Sequence, residues 1–145
     1  MSVRDLIKKY ELVPVARVSR VGNELKIQIT DQETANLEKC IYAFLIGGKV
    51  RVGSSKAKLA SRLKSYERDF TNAFKHKNSS TSEQEAKQWK KLLPVGKSGE
   101  IFARRGREVS TPLGKFPAYL DEESLLIGEM FKRWPKRVLN RNKHR

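Results

Sequence analysis

The sequence predicts an α/β fold in which a small antiparallel or mixed β-sheet is flanked by helices and preceded by an N-terminal β-hairpin extension. Three observations carry this. Short runs of β-prone apolar residues surround glycine-containing turns at residues 15–30 and 41–53. Elsewhere apolar residues recur at intervals of three and four, the period of a helix with one buried stripe. And 38% hydrophobic residues in a chain of 145 are enough for one core, which a disordered polycation would lack.

The elements follow in order. Residues 2–10 form a short helix, with Ser2 and Asp5 at capping-box spacing, and Pro14 prevents its extension. Residues 15–21 and 24–30 alternate around Gly22-Asn23, which places Leu25, Ile27 and Ile29 on one face of a hairpin and Arg17, Arg20 and Lys26 on the other. Residues 31–39 are polar and read equally as a short helix or a loop. A second hairpin, central and buried, spans the apolar residues 41–46, the turn Gly47-Gly48-Lys49 and residues 50–53. After Ser54 and Ser55, which suit a helix start, Leu59, Leu63, Tyr66, Phe70 and Phe74 stripe a helix over 56–76. Residues 77–82 are a polar loop. Ser82 with Glu85 repeats the capping-box spacing before Ala86, Trp89, Leu92 and Leu93, and Pro94 and Gly96 stop that helix. Residues 100–104 read as a third core strand, and 106–117 as a loop placed to lie over a ligand. Asp121 caps a last helix with Leu126, Ile127, Met130 and Trp134 on its buried stripe, ended by Pro135. The chain thus divides into an extension (1–38), a core domain (39–140) and a basic tail (141–145).

Charge narrows the function. With 31 Lys and Arg against 16 Asp and Glu the net charge is +15. A pI near 10.2 attracts polyanions, either nucleic acid or an anionic membrane surface. No run approaches the roughly twenty apolar residues of a membrane span. The N-terminal residues lack a secretory pattern and the single cysteine, Cys40, fits a reducing compartment, so an intracellular location is expected. One cysteine and two histidines exclude zinc fingers and three-histidine zinc sites; any metal would be a hard cation on carboxylate oxygen.

The informative stretch is Cys40-Ile41-Tyr42, a glycine turn, Arg51-Val52-Gly53, and then a helix bearing Arg62 and, one turn later, Tyr66. It resembles the GIY-YIG nuclease module. Ile41 and Tyr42 match the first tripeptide, Gly53 matches the glycine of the second, and residues 56–66 look like the family's arginine helix. Further on, Glu123, Leu126, Ile127, Pro135 and Asn140 resemble its glutamate-helix ending, so the likeness covers residues 40–140. It implies a metal-dependent DNA endonuclease that hydrolyses phosphodiester bonds with Mg²⁺ or Mn²⁺. Tyr42 would be base or water-positioner, Arg62 the phosphate clamp and Glu123 the metal ligand, with Tyr66 and Arg51 as supporting contacts. No small-molecule cofactor is implied, and a homodimer or a partner protein is compatible with it. Two departures stand out. Cys40 replaces a glycine, and Arg51 stands where the second tyrosine would be. A guanidinium cannot accept a proton, so the base role would rest on Tyr42 or a metal-bound water.

The residue types fit that chemistry independently. A planar guanidinium matches phosphate oxygens, and one carboxylate can hold Mg²⁺ in a shell of water and phosphate oxygen. Each also has a structural reading: Tyr42 and Tyr66 as core aromatics, Arg62 as a solvated charge, Glu123 as a helix-dipole acid. Arg104, Arg105, Arg107, Lys115, Lys136, Arg137, Asn140 and Arg141 are expected to contact nucleic acid, and such cations give salt-sensitive affinity without reading sequence. Two alternatives remain: a binding module of the same fold that has lost cleavage, for which Arg51 speaks, and a basic RNA-associated protein of another fold.

Overall fold

A computed structural model describes residues 1–140. Its centre is a five-stranded antiparallel sheet of β1 (Val13–Val21), β2 (Glu24–Ile29), β3 (Cys40–Ile46), β4 (Lys49–Ser55) and β5 (Ser98–Arg105), in the order β2-β1-β5-β3-β4. The predicted fold class is the one found. β1 pairs along β5, so the N-terminal hairpin continues this sheet and does not form a layer of its own.

Helices cover both faces, and strand alternation decides which residue meets which helix. On one face Tyr42 and Phe44 pack with Leu63, Tyr66 and Phe70 of α3 (Leu59–Phe74) and Trp89 of α4 (Glu83–Leu92). On the other, Ile41, Ala43, Val52 and Phe102 pack with Leu6 and Ile7 of α1 (Val3–Lys9) and with Leu126, Ile127 and Met130 of α5 (Tyr119–Arg133). β3 is covered on both faces, which is why it reads as an unbroken apolar run. Of 31–39, only Gln32–Ala35 is helical (α2), with the Asp31 carboxylate accepting from the Thr34 amide at its start.

Several local expectations change. β3 is interior, but β4 is the last strand of the sheet. Residues 137–139 cover its open edge: the Val50 amide donates to the Arg137 carbonyl at 2.8 Å and the Leu139 amide to the Val50 carbonyl at 2.7 Å. Ser54 and Ser55 belong to β4, so α3 begins later, at Leu59, without a side-chain cap. Ser82 does cap α4 through the Glu85 amide, yet the Glu85 carboxylate turns to Arg51 and completes no box. Residues 106–117 are mostly a hairpin of β6 (Glu108–Thr111) and β7 (Gly114–Pro117), not a loop; Val109 and Phe116 pair across it and Thr111 ties its turn to Gly114. α5 starts two residues before Asp121, which lies in its first turn and does not cap it. Trp134 is its half-buried C-cap. Among the described residues no helix is long and apolar enough to cross a membrane. The expected basic tail, Arg141 included, lies outside the described residues.

Candidate active site

The sequence brings four polar side chains together over the end of the β3–β4 hairpin. Tyr42 faces Gly53 across the two strands, and Arg51 faces Phe44 two pairs further on, so both side chains point toward α3. Arg62 and Tyr66 are four residues apart on α3 and project from one helix face.

They form one chain of hydrogen bonds. Arg62 Nε donates to the Tyr42 hydroxyl at 3.3 Å, the Tyr42 and Tyr66 hydroxyls are 2.8 Å apart, and Arg51 Nε donates to the Tyr66 hydroxyl at 3.2 Å. Arg51 continues the chain by pairing with Glu85 on α4. Both guanidiniums lie 5.8 Å from the Tyr66 ring centre. The two phenol oxygens share a single hydrogen, which leaves one for a third partner. Tyr42 is 0% exposed, whereas Tyr66 lines a cavity of about 130 Å³ with Arg51, Arg62 and Glu85. Tyr66 is therefore the phenol that can offer its hydrogen to that cavity.

Electrostatics separates the two arginines. Burial works against the Arg51 charge, but Tyr66 and Glu85 together hold its pKa above the ordinary value. Its charge is answered within the protein. Arg62 is solvent-exposed, makes no ion pair among the described residues, and has its Nε on Tyr42, which leaves its terminal nitrogens without a hydrogen-bond partner there. The Tyr42 bond is the main reason its pKa is raised. Tyr42 itself is pushed well above a normal phenol, by burial first and by Tyr66 next, with Arg62 opposing. It is neutral at ordinary pH.

Glu123 approaches from the opposite face. Ser54 pairs with Ile41 across the hairpin and so faces α5, and its hydroxyl donates to Glu123 Oε1 at 2.8 Å. Ser54 also lines a second cavity, of about 340 Å³, in which Arg62 takes part. The sheet thus divides Glu123 from the phenols, while Ser54, bonded to Glu123, and Arg62, bonded to Tyr42, line one cavity at the end of β4. Among the described residues Glu123 makes no ion pair, while its neighbour Glu122 is closed in a fork by Arg104, at 3.0 and 2.6 Å, and accepts the Arg107 amide at 2.7 Å. Burial opposes Glu122 ionisation, but these donors hold its pKa below the usual value. No group of three His, Cys, Asp or Glu among the described residues is placed to hold a metal. The donor set fits a hard cation held by Glu123 alone, with water and phosphate oxygens completing the shell.

The other expected residues divide. Arg104 is committed to Glu122 and the Tyr10 carbonyl and is not an open phosphate contact. Arg105 and Arg107 are exposed and form ion pairs with Glu108 and Glu11 that cost little to exchange. Lys115, Lys136 and Arg137 are exposed. Asn140 turns inward, accepting from the Val52 amide at 2.9 Å and donating to the Val52 carbonyl at 2.8 Å. Ile41 packs under α5 and Gly53 makes room for the Tyr42 ring. Two participants, Glu85 and Ser54, do not stand out in the sequence. The sequence signals only that some carboxylate is needed, since Arg51 lies between Val50 and Val52 on a strand expected to be buried; nothing in it points to Glu85.

No protein-family model matches the chain, and no curated protein matches it in sequence. Solved structures do. A point mutant of bacteriophage T4 EndoII is similar over 92% of this chain and 98% of that one, with a TM-score of 0.63 and 18% identity. The restriction endonuclease HPY188I, in complex with product DNA, is similar over 94% and 83%, with a TM-score of 0.54 and 18% identity. The chain has the fold of these two proteins.

Proposed function

We propose that the chain is a metal-dependent DNA endonuclease of the GIY-YIG type. One observation carries the reading: Arg62, hydrogen-bonded to Tyr42 and free of any ion pair among the described residues, lines the same cavity as Ser54, whose hydroxyl donates to Glu123. The names of the two structural neighbours, a phage endonuclease and a restriction endonuclease bound to product DNA, agree with it.

In this reading Arg62 holds two oxygens of the scissile phosphate and offsets the charge that develops on them. Mg²⁺ or Mn²⁺ on Glu123 would supply Lewis-acid stabilisation of that charge. Tyr66, fixed by Tyr42 and Arg51, braces the Arg62 end of the site from the adjoining cavity, and the water that attacks phosphorus gives its proton to bulk solvent or to a phosphate oxygen. Tyr42 orients Arg62 and Tyr66; its buried, neutral phenol makes it a positioning residue and not the base that the motif alone implies. Arg51 and Glu85 lock the far end of the chain. The exposed cations Arg105, Arg107, Lys115, Lys136 and Arg137 track the DNA backbone.

Supercoiled plasmid and labelled single-stranded and duplex oligonucleotides, incubated with Mg²⁺, Mn²⁺ or EDTA, test the proposal. Metal-dependent cutting that disappears in Glu123→Ala, with DNA binding retained, is the expected result. Cutting by Glu123→Ala at the wild-type rate would refute the site. The second reading, a binding module without cleavage, is favoured by the internal neutralisation of Arg51, and salt-sensitive binding with no cutting in any metal would establish it.

A further inference from the structure

Two cavities flank Arg62, and their charges differ. In the first, Arg51 and Arg62 are balanced by Asp69 and Glu85. The second, between the end of β4 and the first turn of α3, is lined by Lys56 and Arg62 and by no carboxylate. Neither cation makes an ion pair among the described residues. The Lys56 segment is ordered by backbone bonds to the chain before β3: the Lys39 amide donates to the Lys56 carbonyl at 3.1 Å and the Leu59 amide to the Leu37 carbonyl at 3.0 Å. Of the serine hydroxyls on the wall, those of Ser54, Ser55 and Ser65 already donate within the protein. Ser61 is the one without a partner there and is exposed.

A phosphodiester entering the first cavity would meet two carboxylates for its two cations. Entering the second, it meets two cations and a free hydroxyl. Coulomb attraction decides between them, since a like charge next to a phosphate cancels a paired arginine. We infer that the β4–α3 cavity is the phosphodiester seat, with Lys56 as a second cation on the nucleic-acid backbone beside Arg62 and with Ser61 donating to the same group. This deepens the nuclease reading and rests on it for the identity of the ligand, but the seat is a binding claim and is testable without cleavage.

The probe is a fluorescein-labelled DNA duplex titrated in EDTA across a range of salt, with cleavage measured separately. Lys56→Gln, an exposed change, is expected to weaken binding about three- to tenfold and to lower the slope of log affinity against log salt by about one. Ser61→Asp, which puts a carboxylate in the seat, is expected to weaken binding more than tenfold, and Ser80→Asp, its counterpart in the balanced cavity, less than threefold. Duplexes carrying one neutral methylphosphonate at successive positions complete a cycle: one position weakens wild type and adds no loss to Lys56→Gln. An unchanged salt slope in Lys56→Gln, a larger loss in Ser80→Asp than in Ser61→Asp, or no DNA binding by wild type would overturn the seat. Wild type that binds with these effects and never cuts would overturn the nuclease reading and leave the seat standing.

Discussion

Tyr42 occupies the space that a side chain at Gly53 would need. The two residues face each other across β3 and β4, and a Cβ added at Gly53 would lie 2.4 Å from both the ring Cζ and the hydroxyl oxygen of Tyr42. No real contact is that short, so the glycine is what lets the phenol reach Arg62 and Tyr66. Gly53→Ala is expected to displace the ring, lower stability by about 1–3 kcal/mol as overpacked cores do, and reduce cleavage more than tenfold. Chemical denaturation and a cleavage assay on the same preparation check this. A variant that keeps full activity would show that the phenol is not held by the missing side chain.

The Arg51–Glu85 pair predicts an asymmetric double-mutant cycle. Its side chains are 25% and 12% exposed, so each charge depends on the other. Removing one partner leaves the second buried and uncompensated, at a cost of about 2–3 kcal/mol. Arg51→Tyr, which would restore the motif tyrosine, should therefore destabilise the protein alone and recover at least half of the loss when combined with Glu85→Gln. Urea midpoints of the two single variants and the double variant give the coupling; additive losses would show that the pair is not a unit.

How much of this was legible in the sequence depends on how local the cause is. The unbroken apolar run of β3 and the stripes of α3 and α5 report elements packed against a core, and they placed Tyr42, Tyr66 and Leu126 correctly. The Ser2 cap on α1 was readable because both its bonds are to Asp5, three residues on. Partners far apart in the chain were not readable: Glu85 for Arg51, Ser54 for Glu123, Arg104 for Glu122. Nor was the face of the sheet from which Glu123 arrives. A one-residue step sends Gly53 toward α3 and Ser54 toward α5, and only the fold shows that Ser54 and Arg62 line one cavity at that strand end.

Asn140 closes the open edge of β4. Its side-chain amide makes both bonds that a neighbouring strand would make to Val52, and an unpaired edge is what sheets must otherwise protect. Asn140→Ala loses two hydrogen bonds at a partly exposed position, for an expected cost of about 1–2 kcal/mol. Amide exchange at Val52 should rise by at least tenfold, because its amide loses its acceptor. Unchanged protection at Val52 would mean that residues 137–139 hold the edge unaided.

Cys40 gives the fold a defined alkaline weakness. It is 0% exposed at the start of β3, and burial pushes its thiol from 9.0 up to about 11. Below pH 9 the thiol is protonated in folded and unfolded chains alike, so it has no effect on the balance. As pH rises past 9 the unfolded thiol loses its proton first, the unfolded state binds fewer protons than the native one, and stability falls until the native thiol also ionises near pH 11. Such a displacement is worth about 2–3 kcal/mol. The Tyr42 phenol, also raised by burial, contributes a further loss above pH 10 with the same sign. Cys40→Ala isolates the thiol: the stability difference between wild type and variant should be constant up to pH 9 and shift by about 2 kcal/mol in favour of the variant by pH 11. Denaturant titrations at each pH measure it, and a difference that stays flat to pH 11 would show that the native thiol ionises as easily as the unfolded one.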